Sequence, residues 1–475
     1  MMHAVLALAL GVIATKKVAY TPATTDPSAL VRRSRAELAP QFDEIDWRTR
    51  RHVARVMDAF REQQVTGSDF AGVDGYGHGD IGREKIDAIY ARLFGAEAAL
   101  VRVQMFSGTH AIACALYGVL RPGDTLLTVS GQPYDTLEEV IGTRSPAAGT
   151  PGAAWPGLTG SLAEFGVKWE KVELCEDGSF DYAAIREALE RPREGRVAMV
   201  HVQRSCGYQW RRSIPVAEIG ELADWLKAWR AERDGVPADA APAAVAGGSE
   251  ALWQPQYPVL FVDNCYGEFV EELEPTALGA DLVAGSLIKN PGGTLAPTGG
   301  YVAGRAALVQ AASNRLSAPG VEGGATLGMN RLLLQGLFHA PQVVGEALKG
   351  ATLAAHVLAQ RGFKCSPAFD TQPRSDIVQC VELGSRENLV AFCQVVQRYS
   401  PVNAHVRPTA GSTPGYGDEV VFADGTFIEG STAELSADGP LREPYVVYMQ
   451  GANHWTQWAI ILDAFLHGLD ADESS

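Results

Sequence analysis

Positive charge is in short supply in this chain: its 475 residues carry 40 Lys and Arg against 56 Asp and Glu, a formal net charge of -16. A surplus of that sign repels a polyphosphate backbone and argues against a nucleic-acid partner. Long apolar runs are missing too. Ala4 to Ala14 is too short to span a bilayer, and Lys16 and Lys17 follow it where a secretory signal would place its charges first, so no membrane association is expected. The seven cysteines include no CxxC pair and resemble neither a disulfide framework nor a zinc site, which fits a reducing, cytoplasmic compartment. Cys114, on an apolar helix, and Cys265 read as buried small side chains. Asp, Glu and His form no tight group at ligand spacing, so no metal site is expected, and no internal repeat is present.

What is present is alternation. Short apolar runs at Thr125–Val129, Val197–Val202, Val259–Val262, Leu282–Ala284 and Tyr301–Ala303 read as buried strands. Between them lie helical patterns such as Ile86, Ile89, Tyr90 and Leu93, an apolar stripe that can cover a sheet. The implied class is α/β, a mostly parallel sheet covered on both faces, in which ligands sit at the carboxyl ends of strands. Residues 1–29 read as a leader. They are poor in acids, and Arg32, Arg33 and Arg35 follow, so a transit segment to a plastid or mitochondrion is the alternative to a cytoplasmic location. Residues 30–328 form the expected large domain, interrupted by Ala-, Pro- and Gly-rich insertions near 146–160 and 231–258. Residues 329–475 form a smaller α+β domain, with a helix around Leu332–Gly345 and strands near Ile377–Leu383 and Tyr445–Met449.

The chemistry concentrates at Gly285-Ser286-Leu287-Ile288-Lys289-Asn290-Pro291-Gly292-Gly293, which follows a strand ending in Asp263. An acid at a strand end and a lysine in a small-residue turn 26 positions later suit pyridoxal 5'-phosphate. That cofactor needs an acid partner to keep its ring nitrogen protonated and a lysine that can shed its proton in a partly buried pocket. Ser286, from the same turn, can reach the phosphate. Upstream, Ser107-Gly108-Thr109-His110 separates the strand Ala99–Val103 from the helix Thr109–Leu120, and the free N–H groups of such a helix start bind phosphate. Read singly, Asp263 could cap a turn, Lys289 could lie on the surface, and Ser107 could be an ordinary N-cap.

Further segments carry a family resemblance. Gly75-Tyr76-Gly77, Asp80-Ile81-Gly82-Arg83, Ser107-Gly108-Thr109-His110-Ala111-Ile112, Pro133-Tyr134-Asp135-Thr136-Leu137-Glu138-Glu139, Asn290-Pro291-Gly292-Gly293, Ala296-Pro297-Thr298-Gly299-Gly300-Tyr301, Gly425-Thr426-Phe427-Ile428 and Glu434-Leu435-Ser436-Ala437-Asp438-Gly439-Pro440 occur in that order. Together, from about Leu30 to about Leu466, they resemble the bacterial methionine gamma-lyase-like family, also known as aluminium resistance proteins. The resemblance implies a fold-type-I pyridoxal phosphate enzyme related to the cystathionine and methionine lyases, working as a homodimer or homotetramer on a small amino acid substrate.

By that resemblance Tyr134 stacks on the cofactor and assists the leaving group, while Tyr76 and Arg83 reach the cofactor phosphate of a neighbouring subunit. Gln203 contacts the ring's exocyclic oxygen, and Arg442 or Arg407 grips the substrate carboxylate. His78-Gly79 and Ala452 depart from the pattern, where an aromatic-acidic pair and a second glycine are expected; this leaves the cofactor assignment standing and opens substrate preference. The expected reaction is gamma-elimination, L-methionine to methanethiol, 2-oxobutyrate and ammonia, with Lys289 taking the alpha proton. An aminotransferase, a cystathionine beta-lyase and a non-catalytic pyridoxal phosphate fold linked to metal tolerance remain as alternatives.

Overall fold

The structure is a computed structural model that describes residues 26–146, 153, 157–235, 258–321 and 323–472. The leader up to residue 25 and most of both expected insertions lie outside the described residues.

Seven strands build the first sheet: β1 (Ala98–Arg102), β2 (Thr125–Thr128), β3 (Lys168–Lys171), β4 (Val197–Gln203), β5 (Val259–Asp263), β6 (Leu282–Ser286) and β7 (Gly300–Gly304). Their order is β1-β7-β6-β5-β4-β2-β3. β3, β2, β4, β5 and β6 run parallel, and β7 is antiparallel to both β6 and β1. Every residue of β4 to β7 is buried, the signature of a sheet covered on both faces. The two-residue period sorts side chains cleanly. Leu260 and Val262 join one core with α3 (Ile81–Phe94), α6 (Tyr182–Glu190) and α7 (Val216–Asp234), whereas Val259 and Phe261 join the other with α4 (Gly108–Val119).

One expectation shifts at α7. The region read as an insertion from Ala231 begins as helix, and α7 ends at Asp234 because Gly235 takes the left-handed φ of 64° that closes a helix. Preceding the sheet are α1 (Ala29–Glu37) and α2 (Ala39–Glu62); α5 (Asp135–Ile141) and α8 (Ala306–Leu316) complete its helical cover.

A 30-residue helix, α9 (Asn330–Ala359), leads into the smaller C-terminal domain. Its sheet, order β10-β11-β12-β9-β8, is antiparallel throughout. The strands are β8 (Lys364–Ser366), β9 (Gln379–Glu382), β10 (Val420–Ala423), β11 (Ser436–Pro440) and β12 (Val446–Gln450). α10 (Arg386–Arg398) and α11 (Thr456–Asp472) join α9 around a second core that includes Phe392, Val447 and Trp458. The architecture is the expected one: a mostly parallel seven-stranded sheet with a small antiparallel domain at the C-terminus. Among the described residues no helix is long and apolar enough to cross a membrane.

Candidate active site

A cavity of about 510 Å3 opens where the carboxyl ends of β4, β5 and β6 meet the C-terminal domain. Eight expected residues line it: Lys289, Asp263, Ser286, Ser107, Gly108, Thr109, Tyr134 and Gln203. Segments nearly 200 residues apart in sequence therefore converge on one space.

The lysine turn is held rigidly. β6 ends at Ser286, Lys289 follows, and a single 3-10 turn, Asn290–Gly292, brings the chain to Gly293 at φ 54°. A side chain at Gly293 would have its Cβ 2.0 Å from the Gly336 carbonyl oxygen, so this glycine lets the turn sit directly on α9. Asn290 is buried and donates from Nδ2 to the Glu268 carbonyl at 2.9 Å. Close approach also explains Gly108, whose added Cβ would lie 3.0 Å from Ser286 Cβ and 3.3 Å from Cys265 Sγ. The first turn of α4 is thereby pressed against the end of β6.

Asp263 is buried, and its carboxylate accepts from the Cys265 N–H at 3.1 Å. Burial raises its pKa, while that hydrogen bond and the Lys289 charge pull the other way without cancelling the rise. At Lys289 burial opposes the charge, but Tyr266, Cys265 and Asp263 outweigh it and hold the ammonium well above its ordinary value. The Lys289 Nζ lies 4.2 Å from the centroid of the Tyr266 ring.

Two buried polar atoms on the cavity lining lack partners among the described residues: Ser286 Oγ and Gln203 Oε1. Such atoms are costly unless a ligand satisfies them. Ser107 does serve as the N-cap of α4, its Oγ accepting from the His110 N–H at 3.1 Å, which orients the free amides of that turn toward the cavity. Thr109 and Thr136 hydroxyls meet at 2.7 Å. With a carboxylate, a lysine, a helix start and unsatisfied hydroxyl and amide oxygens in one cavity, the donor set fits pyridoxal phosphate.

An aromatic wall faces this end. The Tyr134 hydroxyl bonds that of Tyr416 at 2.9 Å, and its ring lies edge-on to Tyr208 at 5.5 Å. Burial, then the neighbouring Tyr416, pushes the Tyr134 phenol well up, so it holds its proton at neutral pH. Tyr208 donates to the buried Asp438, which also accepts from Gln450 Nε2 at 2.6 Å.

The other expected residues lie elsewhere. Tyr76 is exposed and stacks on His78. Arg83 is buried, its NH1 donating to the carbonyls of Gly77 at 2.7 Å and Gly324 at 3.1 Å. Arg442 pairs with Asp418 at 2.7 Å and donates to the Tyr208 carbonyl at 2.9 Å, just outside the lining. Arg407 is exposed in the loop between α10 and β10. No arginine lines the cavity among the described residues. Conversely, Tyr208, Tyr266, Tyr416 and Asp438 line it without having been expected; the only sequence signals were the nearness of Tyr266 to Asp263 and the place of Asp438 in a family-like segment.

A family model described as methionine gamma-lyase matches residues 27–233 and 254–469. The uncharacterized protein YnbB of Bacillus subtilis (strain 168) is 45% identical over 418 residues, 88% of this chain and 90% of that one. Among solved structures, a candidate cystathionine beta-lyase involved in aluminum resistance from Listeria monocytogenes is 40% identical with a TM-score of 0.80, covering 92% of this chain and 99% of its own. A carbon-sulfur lyase involved in aluminum resistance from Clostridium novyi NT is 38% identical, also at 0.80, covering 93% and 95%.

Proposed function

The chain belongs to the methionine gamma-lyase family and is a pyridoxal phosphate-dependent carbon–sulfur lyase, and we propose that it performs gamma-elimination on L-methionine, releasing methanethiol, 2-oxobutyrate and ammonia. The observation that carries this reading is Lys289 at the end of β6 sharing a cavity with the β5 carboxylate Asp263 and the start of α4. When bound, pyridoxal phosphate draws electrons away from the substrate's alpha carbon.

The protein's own groups do the rest. Asp263, at the end of a fully buried strand, offers a fixed negative charge to a protonated ring nitrogen. The α4 amides and Ser286 Oγ receive the phosphate, and Gln203 Oε1 is free to accept from a ring substituent. Lys289, once neutral, takes the proton from the alpha carbon; a second proton must leave the beta carbon for the gamma carbon–sulfur bond to break, and one water then hydrolyses the released imino acid to 2-oxobutyrate and ammonia. Tyr134, kept protonated, is placed to donate to a departing thiolate. Ile112, Leu137 and Phe422 give the cavity apolar surface suited to a methylthio group.

A second reading, cystathionine beta-lyase, draws support from Asp424 and Glu429, carboxylates on the cavity lining suited to a distal ammonium group. Incubating the protein with pyridoxal phosphate and each substrate separates the two. 2-Oxobutyrate from methionine supports the first; pyruvate and homocysteine from cystathionine, with nothing from methionine, replaces it by the second. Half-transfer to a second oxo acid would instead indicate an aminotransferase.

Assembly belongs to the same proposal. Tyr76, Ile81, Phe106 and Leu327 are exposed by 61 to 71%, and Tyr76 and Arg83 are joined to the 323–325 segment by backbone and guanidinium bonds. A second copy covering this face would bring Tyr76 and Arg83 to a cavity that no arginine lines among the described residues. Substrate carboxylate binding by Arg442 requires it to release Asp418, and Arg407 would have to fold inward. The relatives are bacterial, which gives the organellar alternative no support and leaves the cytoplasmic location as our reading.

A further inference from the structure

We propose that Tyr266 is a positioning residue for Lys289: its ring face holds the lysine ammonium, and its hydroxyl and carbonyl tie that lysine to the C-terminal domain. This rests on Lys289 being the cofactor-bearing lysine and adds a residue to which nothing above gives a function.

Three contacts converge on this one residue. The Lys289 Nζ lies 4.2 Å from its ring centroid, within the range at which a cation is drawn to an aromatic face, and more strongly where water is excluded. The phenol donates to the Ser431 carbonyl at 3.1 Å. The Tyr266 carbonyl accepts from the Ile377 N–H at 3.3 Å. Ser431 and Ile377 both belong to the part of the chain after α9, so Tyr266 links the lysine turn to two separate segments of the smaller domain. It packs against both the large-domain core and the cluster containing Cys206, Tyr208 and Val378.

The backbone points the same way. Tyr266 has φ 69°, a left-handed conformation that a bulky L residue adopts only when its surroundings over-determine it, and such residues gather at functional sites. Here the fixing contacts are those just named, and one of them is Lys289. The hydroxyl could serve the domain contact alone; the ring position over Nζ is the independent observation that assigns it to the lysine.

Acylation of Lys289 by acetic anhydride in the cofactor-free protein, read by peptide mass spectrometry at fixed pH near neutrality, tests this, because only the neutral amine reacts. Tyr266→Met fills the space without a π face, and the rate should rise about fivefold. Tyr266→Phe keeps the face and should stay within twofold of the unaltered protein. A folded Y266M protein with an unchanged rate, or Y266F accelerating as much as Y266M, would overturn the proposal. Should Y266M not fold, Tyr266→Trp, with the larger π face, should slow acylation, and an unchanged rate there refutes it equally. Failure of the cofactor reading shows separately, as retained cofactor and turnover in Lys289→Ala.

Discussion

Replacing Ser286 by alanine should have opposite effects on the cofactor-free and cofactor-loaded protein. Ser286 is 1% exposed, and its Oγ has no partner among the described residues. Without cofactor the hydroxyl is a desolvated group that gains nothing, a state costing about 1–3 kcal/mol. S286A removes that cost and leaves only a small void at the end of β6, so the cofactor-free variant should match or slightly exceed the parent in stability. With phosphate in the cavity the hydroxyl becomes a donor to a charged acceptor, a bond worth about 1.5–3 kcal/mol. The dissociation constant for pyridoxal phosphate should then rise about 10- to 100-fold. Thermal unfolding of the cofactor-free proteins gives the first quantity, and titration by visible absorbance gives the second. A variant whose cofactor-free form is destabilised while its affinity is unchanged would show that Ser286 serves packing and not phosphate.

Lys289→Ala should abolish both the visible absorbance of lysine-bound cofactor and turnover on every sulfur amino acid; a fully active variant would remove the site assignment altogether. Gly293→Ala combines a φ of 54° with a Cβ 2.0 Å from the Gly336 oxygen, so α9 or the lysine turn must move. At a cost of about 3 kcal/mol or more, and an unfolding entropy of roughly 1 kcal/mol/K for 475 residues, Tm should fall by about 3 °C or more, which calorimetry would detect. Burial pushes the Glu268 carboxyl up to about 8 from 4.5. The folded protein thus holds this proton more tightly than the unfolded chain does. Its contribution to stability is whole below 4.5 and is lost as pH climbs to about 8, a few kcal/mol in all. Glu268→Gln still accepts from the Tyr301 hydroxyl but cannot ionise, so its Tm relative to the parent should improve between about pH 5 and 8. Parallel profiles for the two proteins would refute that account.

The large domain was legible where one physical signal dominated. Strands buried on both faces are continuous apolar runs, so β2, β4, β5, β6 and β7 were found within one or two residues, and Asp263 and Lys289 could be placed at strand ends from spacing alone. The smaller domain was less legible. β11, Ser436-Ala437-Asp438-Gly439-Pro440, contains almost nothing that favours a strand; it is one because β10 and β12 pair with it on either side. α9 runs 14 residues past the helix end read at Gly345, and its residues from Ala347 to Leu358 are all buried, the polar Lys349, Thr352 and His356 included, so no one-sided apolar stripe marks where it ends.

By itself the sequence determined the class of fold and singled out the lysine, the acid and the helix start of the proposed site, because each is read from a short stretch of chain. Only the tertiary structure decided which other groups share their cavity. It brought Tyr416 and Asp438 of the smaller domain to Tyr134 and Tyr208, turned Tyr266 under the Lys289 ammonium, and kept Arg442 on Asp418 outside the lining. Those contacts join segments up to 282 residues apart, and such pairings follow from how two domains pack across the end of a sheet, which local patterns along the chain do not encode.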